Sequence, residues 1–229
     1  MESKLEILYE DNHLIVVNKS NSDLVQGDKT GDVSLLDKVK QYIKVKYEKP
    51  GDVYVGLAHR LDRPVSGVTI FAKTSKSLTR MNEMFRDKEI EKTYWAIVKQ
   101  RPPLEEDRLV HYLTHNEEKN KSMVSDKEKK NSKMAALSYK IMAVTKYYTL
   151  LEIKLETGRH HQIRAQLAKI GCPIKGDMKY GFERSNKGGG IDLHARKVSF
   201  IHPVKKEKIE IIAPVPNDNL WKDFLSMVV

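Results

Sequence analysis

Apolar positions along the chain repeat with two periods, near two and near three to four residues, and the switches between them mark the elements. "LEILYEDNHLIVVNK", residues 5 to 19, holds two β-branched or apolar runs broken at Asp11-Asn12, which predicts strand, turn, strand. In "SLLDKVKQYIKVKY", residues 34 to 47, Leu35, Val39, Ile43 and Tyr47 recur at helical spacing. "AHRLDRPVSGVTIFAKT" then reads as a turn leading into a strand. "SKSLTRMNEMFRD" sets Leu78, Met81, Met84 and Phe85 on one side of a helix, and "EKTYWAIVKQ" returns to strand. From Arg108 to Leu155, strand-like runs flank the charged "NEEKNKSMVSDKEKKNSK", predicting long antiparallel strands joined by a polar hairpin. "TGRHHQIRAQLAKIG" has Ile163, Leu167 and Ile170 at helical spacing and a stop at Gly171. "RSNKGGG" predicts a flexible loop, "IDLHARKVSFIHP" and "KEKIEIIAP" two strands, and "NDNLWKDFLSMV" a closing helix. Mainly antiparallel strands with a few helices make an α+β fold, and neither an internal repeat nor a linker calls for a second domain, so residues 1–229 are expected to form one.

Composition adds a direction. Forty-one Lys+Arg against 31 Asp+Glu give a formal charge of +10, and 40% hydrophobic residues are ample for a packed interior. An excess of cations suits a polyanion, because lysines and arginines that neutralise phosphates release counterions and gain affinity. Nucleic acid fits better than a membrane surface. No run approaches the roughly 20 apolar residues of a membrane span, and neither end carries a basic amphipathic helix. The N-terminus is charged from its second residue and builds no signal-peptide core. A single cysteine, Cys172, excludes an internal disulfide and a thiolate metal cluster, which predicts a reducing, cytoplasmic setting.

The residues with chemical potential lie in three stretches. In an extended "HRLD", alternation puts Arg60 and Asp62 on one face and His59 and Leu61 on the other. A guanidinium beside an acid favours the charged carboxylate, and Pro64 and Gly67 restrict the loop while allowing close backbone approach. Taken alone, this R-x-D reads first as a structural ion pair at a turn, and second as a held anionic nucleophile. In "ETGRHHQIRAQLAKIG", Arg164 is expected to share a helix face with His160, with Arg159 near the helix start. That set reads equally as an anion site and as a solvated face. Tyr94 alternates with Trp95 in a strand, where a core role is the ordinary one. His160 and His161 are adjacent and diverge on a helix, no H-E-x-x-H occurs, and neither a G-x-x-x-x-G-K-[ST] nor a G-x-G-x-x-G loop is present, so no metal or nucleotide cradle is expected. Ser66 lacks a G-x-S-x-G setting. The lysines from Lys119 to Lys133 suit a solvated hairpin that could also reach along RNA.

Four blocks occur together and in order: "HRLDRPVSG", "EKTYWAIV", "ETGRHHQIRAQLAKIGCPIKGDMKYG" and "LHARKVSFIHP". In this order and spacing the chain resembles the RluA family of pseudouridine synthases, from about residue 8 to about residue 215. The resemblance implies a pseudouridine synthase fold and cofactor-free, metal-free isomerisation of uridine to pseudouridine in structured ribosomal or transfer RNA. It implies that Asp62 is the essential aspartate, Tyr94 the tyrosine that meets the uracil, and Arg164 the basic residue pairing with the aspartate. Arg60 would act at the flipped nucleotide, and Arg63, Arg159, His160 and Lys175 are expected to contact RNA. No membrane association and no obligate protein partner are expected, and a monomer is the default. Two departures stand out. Pro64-Val65 replace the Asp-Thr of many members, and "NKSNSD" carries Ser20 and Ser22 where N-K-P-x-G is usual. The catalytic motifs begin almost at residue 5, so the small N-terminal RNA-binding module of many relatives is not expected. The rival readings are a catalytically silent RNA-binding protein on the same fold, and a DNA-binding factor. The second lacks any helix-turn-helix or zinc-finger signal.

Overall fold

The computed structural model describes residues 5–27 and 31–228. In chain order the elements are β1 (Ile7–Glu10), β2 (Leu14–Lys19), α1 (Leu35–Lys46), β3 (Gly56–Leu57), β4 (Ser66–Ala72), α2 (Ser75–Arg86), β5 (Glu91–Val98) and β6 (Glu106–Asn116). There follow β7 (Lys121–Ser125), β8 (Lys133–Val144), β9 (Thr149–Leu155), α3 (Gln162–Lys169), a 3₁₀ turn at Met178–Tyr180, β10 (Leu193–Ile201), β11 (Lys208–Ile212) and α4 (Asn219–Val228). The chain forms two compact units, Met1–Glu91 with Ala195–Pro214, and Lys92–His194 with Val215–Val229.

In the first unit, Asp11 closes the β1–β2 turn, its carboxylate accepting the His13 and Leu14 N–H groups at 2.8 Å each. β2 pairs antiparallel with β4, from Leu14 opposite Ala72 to Lys19 opposite Gly67. Leu14, Ile15, Val16 and Val17 are all fully buried, which is why this strand is a continuous apolar run rather than an alternating one. α1 opens on a capping box in which Ser34 and Asp37 satisfy each other's backbone N–H groups. α2 starts on the Thr74 side chain, which accepts the Ser77 N–H, and lays Met81 and Met84 on Val68, Ile70 and Phe200 of the sheet. At Gly67 φ is +111°, and a Cβ there would overlap the Ala195 backbone, so only glycine lets β4 approach that strand so closely.

The second unit orders its strands β5-β9-β8-β6-β7 with antiparallel pairing throughout. α4 buries Trp221 and Phe224 against Trp95, Ile97 and Leu150. Two expectations are corrected here. The charged stretch, expected as a polar hairpin between long strands, holds a strand of its own: Lys121–Ser125 pairs with β6, with Ser122 buried. α3 begins only at Gln162, because His161 takes a left-handed backbone (φ +52°) that closes the helix off on its N-terminal side.

Candidate active site

Asp62 sits in the first unit on a short loop leading into β4. The expected alternation holds there: Leu61 points into the core, Asp62 is half-buried, and Arg60 and Arg63 are exposed. His59 turns inward, its Nε2 accepting the Ile70 N–H at 3.1 Å and its ring lying 5.0 Å from that of Phe85. The Val65 N–H donates to the Asp62 carbonyl at 3.0 Å, closing a turn around Arg63-Pro64. Arg63 reaches away to Asp32, 2.7 Å between Nη2 and the carboxylate in an exposed pair.

The loop is fastened by a residue that sequence reasoning left aside. Lys19, at the end of β2, is 1% exposed, and its Nζ donates to the carbonyls of Ser20 (2.8 Å), Arg63 (2.8 Å) and Val65 (2.7 Å). Those three bonds use all three N–H groups of an ammonium, and two of them grip the chain on either side of Pro64. Burial pulls the Lys19 pKa down to about 7, while the carboxylates of Asp23 and Asp62 work in the opposite direction. The unusual "NKSNSD" turn is built by side chains: Ser20 Oγ donates to Asp23 at 2.8 Å and lies 2.9 Å from Ser22 Oγ, while Lys38 pairs with Asp23 at 2.7 Å. The two serines thus supply through hydrogen bonds the turn that proline and glycine would set through backbone restriction.

Tyr94 and Arg164 belong to the second unit. Tyr94 is buried in β5 opposite Ile153 of β9, next to an equally buried Trp95. Arg164 is 4% exposed, and Asp177 holds it from two sides, Nε to Oδ2 at 2.7 Å and Nη2 to Oδ1 at 2.9 Å. Asp177 is a second residue that sequence reasoning missed; its signal was an acid 13 residues after the arginine inside the same block, "KGDMKYG". The Arg164 guanidinium also lies 5.1 Å from the centre of the Tyr180 ring. Gln162 pins the loop before α3, accepting from Thr157 Oγ1 (2.7 Å) and the Arg159 N–H (3.0 Å) and donating to the Ala136 carbonyl (3.0 Å).

His161 Nδ1 is 3.0 Å from the Tyr180 hydroxyl. Burial, reinforced by the positive charge of Arg164, drives the His161 imidazole down to about 2, so it stays neutral. His160 lies outside the helix, so it does not share a helix face with Arg164 as expected; its carbonyl and ring instead meet Ser122 Oγ. Arg159 is exposed, with Nε on the Met134 carbonyl at 3.0 Å. Lys175, expected to contact RNA, has its Nζ engaged by Asp192 and Asn186 at 2.8 Å each, which ties it to the "RSNKGGG" loop.

Comparisons with known proteins identify the family. Residues 13–169 match the family model described as RNA pseudouridylate synthase. The ribosomal large subunit pseudouridine synthase C of Buchnera aphidicola is 33% identical over 97% of this chain and 70% of its own length. The tRNA pseudouridine synthase C of Vibrio parahaemolyticus is 32% identical over 97% of this chain and 94% of its own. Among solved structures, human RNA Pseudouridylate Synthase Domain Containing 4 superposes with a TM-score of 0.78 at 23% identity, covering 97% of this chain and 92% of that one, which supports the shared fold. With a family model matched over residues 13–169 and relatives at 32–33% identity across nearly all its length, the chain belongs to the RNA pseudouridylate synthase family, enzymes that isomerise uridine to pseudouridine in RNA.

Proposed function

We propose that this chain modifies uridines in structured ribosomal or transfer RNA, with Asp62 as the acting carboxylate. The observation that carries this reading is the H-R-L-D-R block itself: its acid stands at the mouth of a turn whose backbone is fastened on both sides by a buried ammonium. Isomerisation breaks the N1–C1′ bond, turns the uracil, joins C5 to C1′ and finally releases the C5 proton. A carboxylate serves this by attacking C1′, by attacking the ring, or by taking a proton from C2′. All three routes need the acid placed to within a fraction of an ångström, which is what the Lys19 tether supplies. Tyr94 is assigned to stack on the uracil, and Arg164 to serve the carboxylate as its basic partner. The uridine has to leave its stack, at about a few kcal/mol, and exposed cations such as Arg60 and Arg159 offset that by binding phosphates.

The test is release of tritium from RNA carrying 5-tritiated uridine, using RNA from cells without the gene. Wild-type protein should release tritium and Asp62→Asn should not. An Asp62→Asn protein as active as wild type would remove Asp62 from the mechanism, and RNA binding without any release by wild type would favour the silent-binder reading. Pseudouridine mapping in the two RNA pools then identifies which class, ribosomal or transfer, is modified.

A further inference from the structure

Three imidazoles in the second unit form a column. His161 and His160 are stacked, with ring centres 3.8 Å apart and planes 25° from parallel, and His115 lies over the other end, 4.0 Å from His160 at 42°. The column is graded in exposure: His161 is buried, His160 half-buried and His115 exposed. Its base is fixed, because His161 bonds the Tyr180 hydroxyl, and that hydroxyl also accepts the Ser122 N–H at 2.8 Å. Ser122 is the register partner of His115 across the β6–β7 pair, and its Oγ donates to the His160 carbonyl at 2.6 Å. One serine therefore joins the hairpin end to the loop before α3 and holds the rings together.

A metal site does not explain the column. Stacked rings turn their faces, not their nitrogens, toward each other, and Nδ1 of His160 and of His161 already meet Ser122 and Tyr180. The described residues hold no group of three or more His, Cys, Asp or Glu that could hold a metal ion. The surroundings are cationic. Lys121 lies over the Tyr180 ring at 5.0 Å, Lys179 bonds the Asn120 carbonyl at the hairpin tip at 3.1 Å, and Arg159 is exposed next to His160. Glu117 and Glu118 in the hairpin turn are the nearby acids in sequence. An exposed ring with cations on the neighbouring hairpin and loop is the combination that unpaired nucleic acid uses, one base on the ring and phosphates on the charges.

We propose that the His115–His160–His161 column is a stacking platform for an unpaired base of the RNA substrate, with His115 as the contacting ring. The proposal rests on the chain acting on RNA, and it adds a binding contact outside the residues assigned to the chemistry.

The experiment measures binding of a fluorescein-labelled ten-nucleotide oligouridylate to wild type, His115→Ala, His115→Phe and His115→Lys, alongside tritium release from RNA. His115→Ala should weaken oligouridylate binding about tenfold. His115→Phe should restore it to within about twofold, and His115→Lys should not, because it supplies charge without a ring. In the activity assay His115→Ala should raise KM with kcat unchanged, and all three variants should melt with wild type since the side chain is exposed. Wild-type binding and KM in His115→Ala would overturn the platform, as would rescue by Lys but not by Phe. The isomerase reading is judged separately by tritium release from wild type, so either idea can fail while the other stands.

Discussion

Replacing Lys19 with methionine separates what that residue does for stability from what it does for catalysis. Methionine keeps most of the length of the side chain and an apolar, unbranched stem but removes the charge and all three donors. A pKa drawn from the ordinary 10.5 to about 7 corresponds to a penalty of ~5 kcal/mol on the buried ammonium, which the substitution relieves. Against that, the carbonyls of Ser20, Arg63 and Val65 lose their donor, at roughly 1–3 kcal/mol for each acceptor left unsatisfied. The two contributions nearly offset, so Lys19→Met should change unfolding free energy by no more than about 4 kcal/mol in either direction. The loop loses both ties around Pro64, and a carboxylate misplaced by about 1 Å loses on the order of 100-fold in rate. The linkage gives a second readout. Below pH 7 both folded and unfolded chains hold the Lys19 proton; between about 7 and 10.5 only the unfolded chain does, so this residue makes stability rise with pH across that window. Urea unfolding at several pH values should therefore show wild type gaining on Lys19→Met as pH rises from about 7. Tritium release at the wild-type rate by Lys19→Met would refute the tether, and parallel pH dependences of the two proteins would refute the lowered Lys19 pKa.

Three further outcomes follow from the same geometry. Gly67→Ala puts a Cβ against the Ala195 backbone at a left-handed φ, and should destabilise by about 3 kcal/mol or more in thermal or urea unfolding; an unchanged Tm would contradict the close approach. Asp177→Asn strips the charge from a buried bidentate pair and should cost about 3–5 kcal/mol, whereas Arg164→Met combined with Asp177→Leu should recover much of the stability but none of the isomerase activity. Glu10 is held at about 2 because hydrogen bonds from Lys46, Lys73, Tyr47 and Tyr42 together outweigh the burial that raises it. Its contribution is present above 4.5 and lost as pH falls toward 2, so acid unfolding curves of wild type and Glu10→Gln should converge across that interval.

Most of the element order was legible in the sequence, because it rests on local signals. Asp11-Asn12 between β1 and β2 and the helical spacing of Leu35, Val39 and Ile43 are readable within a window of about a dozen residues. The two misreadings share a cause. Lys121–Ser125 looks like hairpin filler because its surroundings are all charge, yet pairing with β6 and the burial of Ser122 make it a strand. His161 looks like the body of a helix, but the bond from its ring to Tyr180, 19 residues on, accompanies a backbone conformation that no local pattern signals. In both places a tertiary contact overrides the local preference.

The same distinction sorts the motif residues. Asp62 is singled out in the sequence because a motif marks the acid itself, but what fastens its loop is not. Lys19 acts on backbone carbonyls 44 and 46 residues away, and a carbonyl carries no residue identity for a pattern to record. The replacement of Asp-Thr by Pro64-Val65 loses its puzzle on the same ground: the tether uses main-chain oxygens of Arg63 and Val65, which any side chains at those positions would present. What must stay is a loop that closes from Asp62 to Val65 and a buried donor facing it, and proline at 64 favours the first by restricting φ. Lys175 is the converse case. It is expected to contact RNA, and Asp192 and Asn186, 17 and 11 residues further along, engage its ammonium. A cation's availability is decided by which acids the fold brings to it: Lys175 is engaged, whereas the Arg60 and Arg159 side chains are left exposed.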